Sequence, residues 1–512
     1  MRNSRSIRTS TFAITVALAL SACSTFDQGG SGDSESRTLT ISLQFTPKAD
    51  FALETDDAYV LSQVGCLETL LTYDEEAGEL QPMLATEWTQ STPSTWDFTL
   101  RDGVKFQDGT ELTADAVAGA LDHVLTAATP PRAFTPKVVS KVEAVNPTTV
   151  RITTPAPSAL LPFRLASVNT GILAPAAYQG AKIDPIRHCT GPYTPASVAP
   201  GQSISLDRND NYWNGRPALD HVDGRFIVEG ATRATQVRTG ESQVALGIPA
   251  TSLPELESDA DLSVTKSYIP RTSGLYFNVT KAPFDNPDTR KAIRDAIDLA
   301  AIAKSVYDGG AQPATGPFAP DEPWAPKNAE PAKQDFDAAK TLLTKAGVQP
   351  GQLNLTLLAY NERPEFADLA TVIQADLAKI GVTVTIQTGE YASMEPALLA
   401  GDFDLALLSR NHLTDIADPI GFLTADYTCD GGFNLSHFCD PALDAKIASA
   451  NEMTEPDDRN ALYAEVASQL QDEAVTVFLV HEQTVAAHAN TVKGFVDDPL
   501  GRYAATPTVT IG

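Results

Sequence analysis

Between Leu353 and Ser409 the chain changes its apolar period in an order that few folds accommodate. LNLTLLAY (Leu353 to Tyr360) reads as a strand. Pro364 to Ile380 places Phe366, Leu369, Ile373 and Leu377 on one helical face, and Gly381 stops it. VTVTIQT (Val382 to Thr388) and FDLALLS (Phe403 to Ser409) are again strands. A strand, a helix and a strand in so short a span imply a right-handed crossover and a parallel pair. The fold class is α/β.

Other stretches are consistent with that class. TLTISLQF (Thr38 to Phe45) alternates as a strand, Leu61 to Leu71 reads as a buried helix or helix–strand junction, and YDEEAGEL is hairpin-like. Trp96 to Leu100 and Val104 to Phe106 are short strands around the turn at Asp102-Gly103, and a helix starts at Thr113. Asp285-Asn286-Pro287 caps a helix running towards Tyr307, with one apolar stripe from Ala292 to Ile302.

The N-terminus is different in kind. Arg2, Arg5 and Arg8 precede the apolar run Phe12 to Leu20, a secretory signal pattern too short for a permanent span. Leu20-Ser21-Ala22-Cys23 resembles the bacterial lipobox, so residues 1–22 are expected to be removed and Cys23 to be lipidated. Residues 23–37, rich in Gly, Ser and acids, form a flexible tether. No later segment has the roughly 20 apolar residues of a bilayer-crossing helix. Membrane association is expected through the lipid anchor alone, on the extracytoplasmic face.

Removing three arginines from the 37 basic residues leaves 34 against 65 acidic ones, a mature charge of −31. Such a balance argues against nucleic acid and anionic membrane surfaces as partners. Four cysteines remain after Cys23. Three pairings are open; the short loop between Cys429 and Cys439 favours a local bridge, which leaves Cys66 with Cys189. No CxxC spacing and no His/Cys cluster points to a metal site. His481-Glu482 begins HEQTV, which lacks the second histidine of HExxH, and neither a G-x-S-x-G elbow nor a P-loop occurs. A secreted hydrolase is therefore a weak alternative, and no catalytic residue or cofactor is assigned.

In open α/β sheets ligands sit beyond the carboxyl ends of the strands. One such end here runs Tyr360, Asn361, Glu362, Arg363, and another Arg410, Asn411, His412, Leu413, Thr414, Asp415. A guanidinium and a carboxylate on neighbouring strand ends suit a zwitterion, one for its carboxylate and one for its ammonium.

Four ordered blocks resemble the extracellular solute-binding proteins that serve dipeptide, oligopeptide and nickel ABC importers. They are ETLLTYDEEAGELQPMLATEWTQSTPSTWDFTLRDGVKFQDGTELTADAV, TGPYTPASVAPGQSISLDRNDNYWNGRPALD, YFNVTKAPFDNPDTRKAIRDAIDLAAIAKSVYDGGAQPATGPF, and QADLAKIGVTVTIQ with GDFDLALLS. The resemblance runs from about Thr38 to the C-terminus. It implies a two-lobe periplasmic-binding-protein-like fold of type II, with an extra subdomain in the first lobe. By analogy residues 38–267 are lobe I, with the insertion at about 61–181; residues 268–480 are lobe II, and 481–512 return to lobe I. Two strands crossing between the lobes would be the hinge.

The resemblance also implies a monomer that performs no chemistry, captures its solute, and delivers it to permease subunits driven by cytoplasmic ATPases. Asp415-Ile416-Ala417-Asp418-Pro419 matches the family's D-x-x-[DE]-P element, in which the first acid takes a peptide ammonium. Arg363-Pro364 matches an R-P element that takes a peptide carboxylate. The loop before Asp415 departs from the peptide binders, and YNERPEF and GCLETLL look like the nickel and metal-chelate branch. Short peptides are the expected ligand, with nickel or a metal chelate as the alternative and a ligand-sensing receptor as a further one. Tyr360, Asn361, Arg363, Arg410, His412 and Asp415 form the expected ligand set, with Asn434 and His437 at its rim.

Overall fold

The computed structural model describes residues 37–74, 77–363, 365–413 and 416–512. Its largest sheet has eleven strands. β1 (Thr38–Leu43) runs parallel to β2 (His221–Phe226), with Leu39 opposite Val222. β3 (Leu262–Tyr276) is followed by β4 (Asn354–Tyr360), β5 (Thr383–Gly389), β6 (Leu405–Asn411) and β7 (Thr476–Ala489). The sheet order is β5-β4-β6-β3-β7, then Val244–Ala245, β1, β2 and the strands Ser203–Arg208 and Tyr193–Ala199; the eleventh strand, Ala311–Pro313, pairs with β7 off this path.

The crossover expected from the sequence is present. β4 is parallel to β5, Asn354 facing Thr383, and parallel to β6 on its other side, Leu357 facing Leu405. α3 (Glu365–Ala378), preceded in the chain by α1 (Pro287–Asp295) and α2 (Leu299–Ser305), buries Phe366, Leu369, Ile373 and Leu377 against this sheet. Alternate residues of β4 (Leu355, Leu357, Ala359) are buried, whereas β6 buries Leu405 to Leu408 without interruption, Leu405 and Leu407 in one core and Ala406 and Leu408 in another.

Two expectations need correction. The helix from Asn286 does not run on to Tyr307: it ends at Asp295, and Asp298 caps a second helix by accepting the Ala301 N–H at 2.9 Å. The continuous apolar stripe hid this break, because both helices present one face to the same core. Val104 to Phe106 is not a strand. Turns at Gly103 and Gly109, both with positive φ, leave room only for a single bridge between Lys105 and Glu111.

The side chains gather into separate cores. One holds Leu39, Ile41, Phe98, Leu206 and Val222, joined by Val492 and Val509 from the C-terminal end. Another holds Leu275, Phe277, Leu357, Ile373, Leu407 and Leu479. β3 and β7 pair with each other from Leu262–Ala489 to Tyr276–Thr476 and connect the two regions. At one end β7 also pairs with Val244–Ala245, and at the other β3 also pairs with β6. Their ladder loses register between Tyr268 and Thr272, where Pro270 has no N–H to donate.

Two disulfides are formed, Cys66–Cys189 and Cys429–Cys439, with Cα atoms 5.4 and 4.4 Å apart. A four-stranded antiparallel sheet made of Ala85–Thr92, Thr95–Leu100, Thr149–Thr153 and Lys141–Asn146 lies between the first pair of cysteines in sequence. Gly65, at φ +74°, makes the turn into Cys66. A Cβ there would stand 2.4 Å from the Ala505 carbonyl oxygen, so the close approach of the C-terminal segment excludes other residues.

Candidate ligand-binding site

A cavity of about 110 Å³ opens beside the register break of β3. Tyr73, from the core around Leu39, and Trp324 and Leu413, from a further core around Phe318, line it together with Leu500, which packs on both, Tyr268–Pro270 of β3, Asp321 and Glu322. The Trp324 indole N–H is buried and has no hydrogen-bond partner among the described residues, so it is a donor at the wall of a space that Asp321 and Glu322 also line. Leu413 follows β6 by two residues, which puts the cavity beside the strand end expected to carry the ligand.

The strand-end residues have definite places. Tyr360 ends β4, its ring edge-on to Phe366 at 4.9 Å and Tyr391 at 5.3 Å. Burial raises the pKa of its hydroxyl, which hydrogen-bonds the Ser409 backbone. Asn361 is exposed, its N–H donating to Gly389. His412 is buried, with Nε2 2.5 Å from Glu322 Oε1, its backbone N–H donating to the Pro270 carbonyl and its ring edge-on to Phe318. Asn434 donates to the carbonyls of Thr428 and Phe438 at 2.9 and 2.7 Å, bracing the Cys429–Cys439 loop from within. Asp415, Thr414 and Cys23 lie outside the described residues.

Both arginines of the expected set are engaged by carboxylates of the chain itself. Arg410 makes a two-pronged pair with Asp426, 2.6 Å on each side, and lies 4.0 Å over the Phe433 ring. Arg363 pairs with Glu482 and, through Nε at 3.1 Å, with Glu365. Burial works against the Arg363 cation, but the two carboxylates outweigh it and push its pKa up. A ligand carboxylate would compete with Glu482 for Arg363 Nη2 and with Asp426 for Arg410 Nε and Nη2.

Sequence reasoning missed the carboxylate at the centre of this arrangement. Glu482 on β7 is buried and accepts from Ser273 Oγ at 2.8 Å, Ser409 Oγ at 2.6 Å and Arg363. Burial alone would raise its pKa; the guanidiniums of Arg363 and Arg271 and these hydrogen bonds hold it below the ordinary glutamate value. The signal was available: an acid inside VTVFLVHEQTVAA, an otherwise apolar strand, requires a buried partner. A second knot holds the D-x-x-D-P segment. Asp418 accepts from Arg459 Nε at 2.9 Å, Tyr463 Oη at 2.6 Å and the Ile420 N–H at 2.9 Å, tying that segment to the helix Pro456–Asp472. Among the described residues no group of three His, Cys, Asp or Glu side chains is placed to hold a metal ion.

The model of the bacterial extracellular solute-binding proteins, family 5 (middle), matches residues 79–434. Nickel-binding protein NikA of Staphylococcus aureus is 26% identical over 501 residues, covering 96% of this chain and 97% of that protein. The glutathione-binding protein GsiB of Escherichia coli is 29% identical over 432 residues, covering 81% and 83%. Among solved structures, the periplasmic binding protein DppA of Helicobacter pylori, in complex with the peptide STSA, superposes with a TM-score of 0.72 at 26% identity. That match covers 93% of this chain and 98% of that one. The chain belongs to the bacterial extracellular solute-binding proteins of family 5.

Proposed function

We propose that this protein is the solute-binding component of an ABC importer, capturing short peptides between two lobes and handing them to a membrane permease. The observation that carries this reading is the cavity beside the register break of β3, walled by Tyr73 of the core around Leu39 and by Trp324 and Leu413 of the core around Phe318. Residues 38–267 with 481–512 act as one lobe and 268–480 as the other. β3 and β7 serve as the hinge, with the broken register at Tyr268–Thr272 as its compliant point. Asp415 takes the peptide ammonium. The protein performs no chemistry on its solute. It is a monomer held outside the cytoplasm by lipid on Cys23, and the described residues include no helix long and apolar enough to cross a membrane.

A second reading, capture of a nickel chelate, is favoured by the likeness to NikA over nearly the full length of both chains. A thermal-shift series separates the two. The chain from Ser24 onward is unfolded and refolded to strip carried-over ligand, then given a di- to pentapeptide pool, Ni²⁺, or Ni²⁺ with histidine. A specific ligand at 100 times its dissociation constant adds ~2.7 kcal/mol of stability. Stabilisation by peptides supports peptide import; stabilisation only by nickel with histidine moves the protein to the chelate branch. Cys23→Ala should release the protein from the membrane fraction, and continued retention would refute the lipid anchor as sole tether.

A further inference from the structure

Three guanidiniums gather where β3 passes the carboxyl ends of β4 and β6: Arg271, Arg363 and Arg410. Two of them hold carboxylates of the chain. The third does not. Among the described residues Arg271 hydrogen-bonds only Ser409, through Nη1, at 3.4 Å from the carbonyl oxygen and 3.3 Å from the hydroxyl. Among the described residues no carboxylate oxygen lies within 4 Å of it.

A guanidinium has five N–H donors, and a cation withdrawn from water ordinarily finds a carboxylate. Arg271 is only partly buried and commits one nitrogen to two long bonds. Its surroundings make the vacancy costlier. Burial disfavours its charge, and Arg363 and Arg410 repel it against the attraction of Glu482. Glu482 attracts it without a direct hydrogen bond, its own bonds going to Arg363, Ser273 and Ser409.

Its position suits a ligand contact. Arg271 stands opposite Asn411, the last residue of β6, and directly follows Tyr268–Pro270, which line the cavity. We propose that Arg271, rather than Arg363, anchors a carboxylate of the solute, so that the ligand carries a free carboxylate at a peptide C-terminus or on a metal-chelating amino acid. The inference rests on the solute-binding reading above and narrows it.

The test compares acids with their amides on the full chain freed of ligand by reversible unfolding. The probes are the peptide pool with free and with amidated C-termini, and Ni²⁺ with histidine or with histidinamide. For one pair, the acid should produce an equal thermal shift at a concentration lower by about tenfold or more, the scale of a charge-assisted contact. The responding pair identifies the source of the carboxylate. Arg271→Met should erase the preference and Arg271→Lys should retain part of it. If Arg271→Met does not fold, the wild-type ratio and the lysine variant still decide. Equal response to acid and amide, or a preference that survives in Arg271→Met, overturns the inference and leaves the solute-binding reading intact. A wild-type chain that responds to none of the four probes overturns both.

Discussion

His481 and Glu482 are consecutive residues of β7, both buried, and the pleat sends them to opposite faces of one strand. Towards Thr272 the environment is neutral. The Thr315 N–H donates to His481 Nε2 at 3.1 Å, which places the ring proton on Nδ1, 2.9 Å from Thr272 Oγ1; that hydroxyl donates onward to the Pro317 carbonyl. Burial, with His412 as a lesser influence, lowers the His481 pKa to about 3, so the ring is uncharged at neutral pH. Towards Ser273 the environment is ionic, and Glu482 keeps its charge because two guanidiniums face it. Equal burial therefore yields opposite charge states, and the neighbours decide which.

The largest way to break this contrast is to remove the acid. Glu482→Ala leaves the partly buried Arg363 without its main partner and should cost ~3 kcal/mol in urea unfolding, the lower end for a buried pair. A loss under ~1 kcal/mol would mean that the ionic face is wet. Converting both partners to methionine should recover much of the loss, since a well-packed apolar pair avoids the desolvation cost.

Acid should act on the neutral face next. Unfolded His481 takes up a proton near pH 6.5 and the folded residue only near 3. The unfolded chain thus binds more protons within that window, and stability falls as pH drops through it. Glu482, with its pKa depressed, also loses stability on acidification, but only below its ordinary value of 4.5. Comparing His481→Gln with wild type between pH 6.5 and 4.5 should therefore show a flatter profile in the variant; parallel profiles would refute a neutral, proton-resisting histidine.

The smallest effects come from the hydroxyls. Ser409→Ala removes one donor to Glu482, and Thr272→Val removes the acceptor for the His481 ring proton. Each should cost ~1 kcal/mol, with the serine change the larger because its partner is charged. The reverse ranking would place the stronger constraint on the neutral face.

The two faces also mark what could be read in the sequence. The β4–α3–β5 crossover was legible because each element carries its own period within a few residues of itself, as Phe366, Leu369, Ile373 and Leu377 do. The ion pairs were not, because Arg363 and Glu482 are 119 residues apart and Ser273 and Glu482 are 209 apart. No local pattern encodes such a meeting. Arg363 was singled out as a ligand contact from its place at a strand end, and the place was right: β4 does deliver it there. What the sequence did not reveal was that another strand brings a carboxylate to the same point. Arg271, inside SYIPRTSGLYF, is a charge in a mostly apolar strand, as Glu482 is.

The bridge between Cys66 and Cys189 has a consequence for a protein that meets proteases. It closes 123 residues, including the whole four-stranded antiparallel sheet, into one covalent ring. A single cut anywhere inside that ring opens it without releasing either piece. The nicked molecule keeps its mass until a reductant separates the halves, so damage to one loop does not detach the module that carries it.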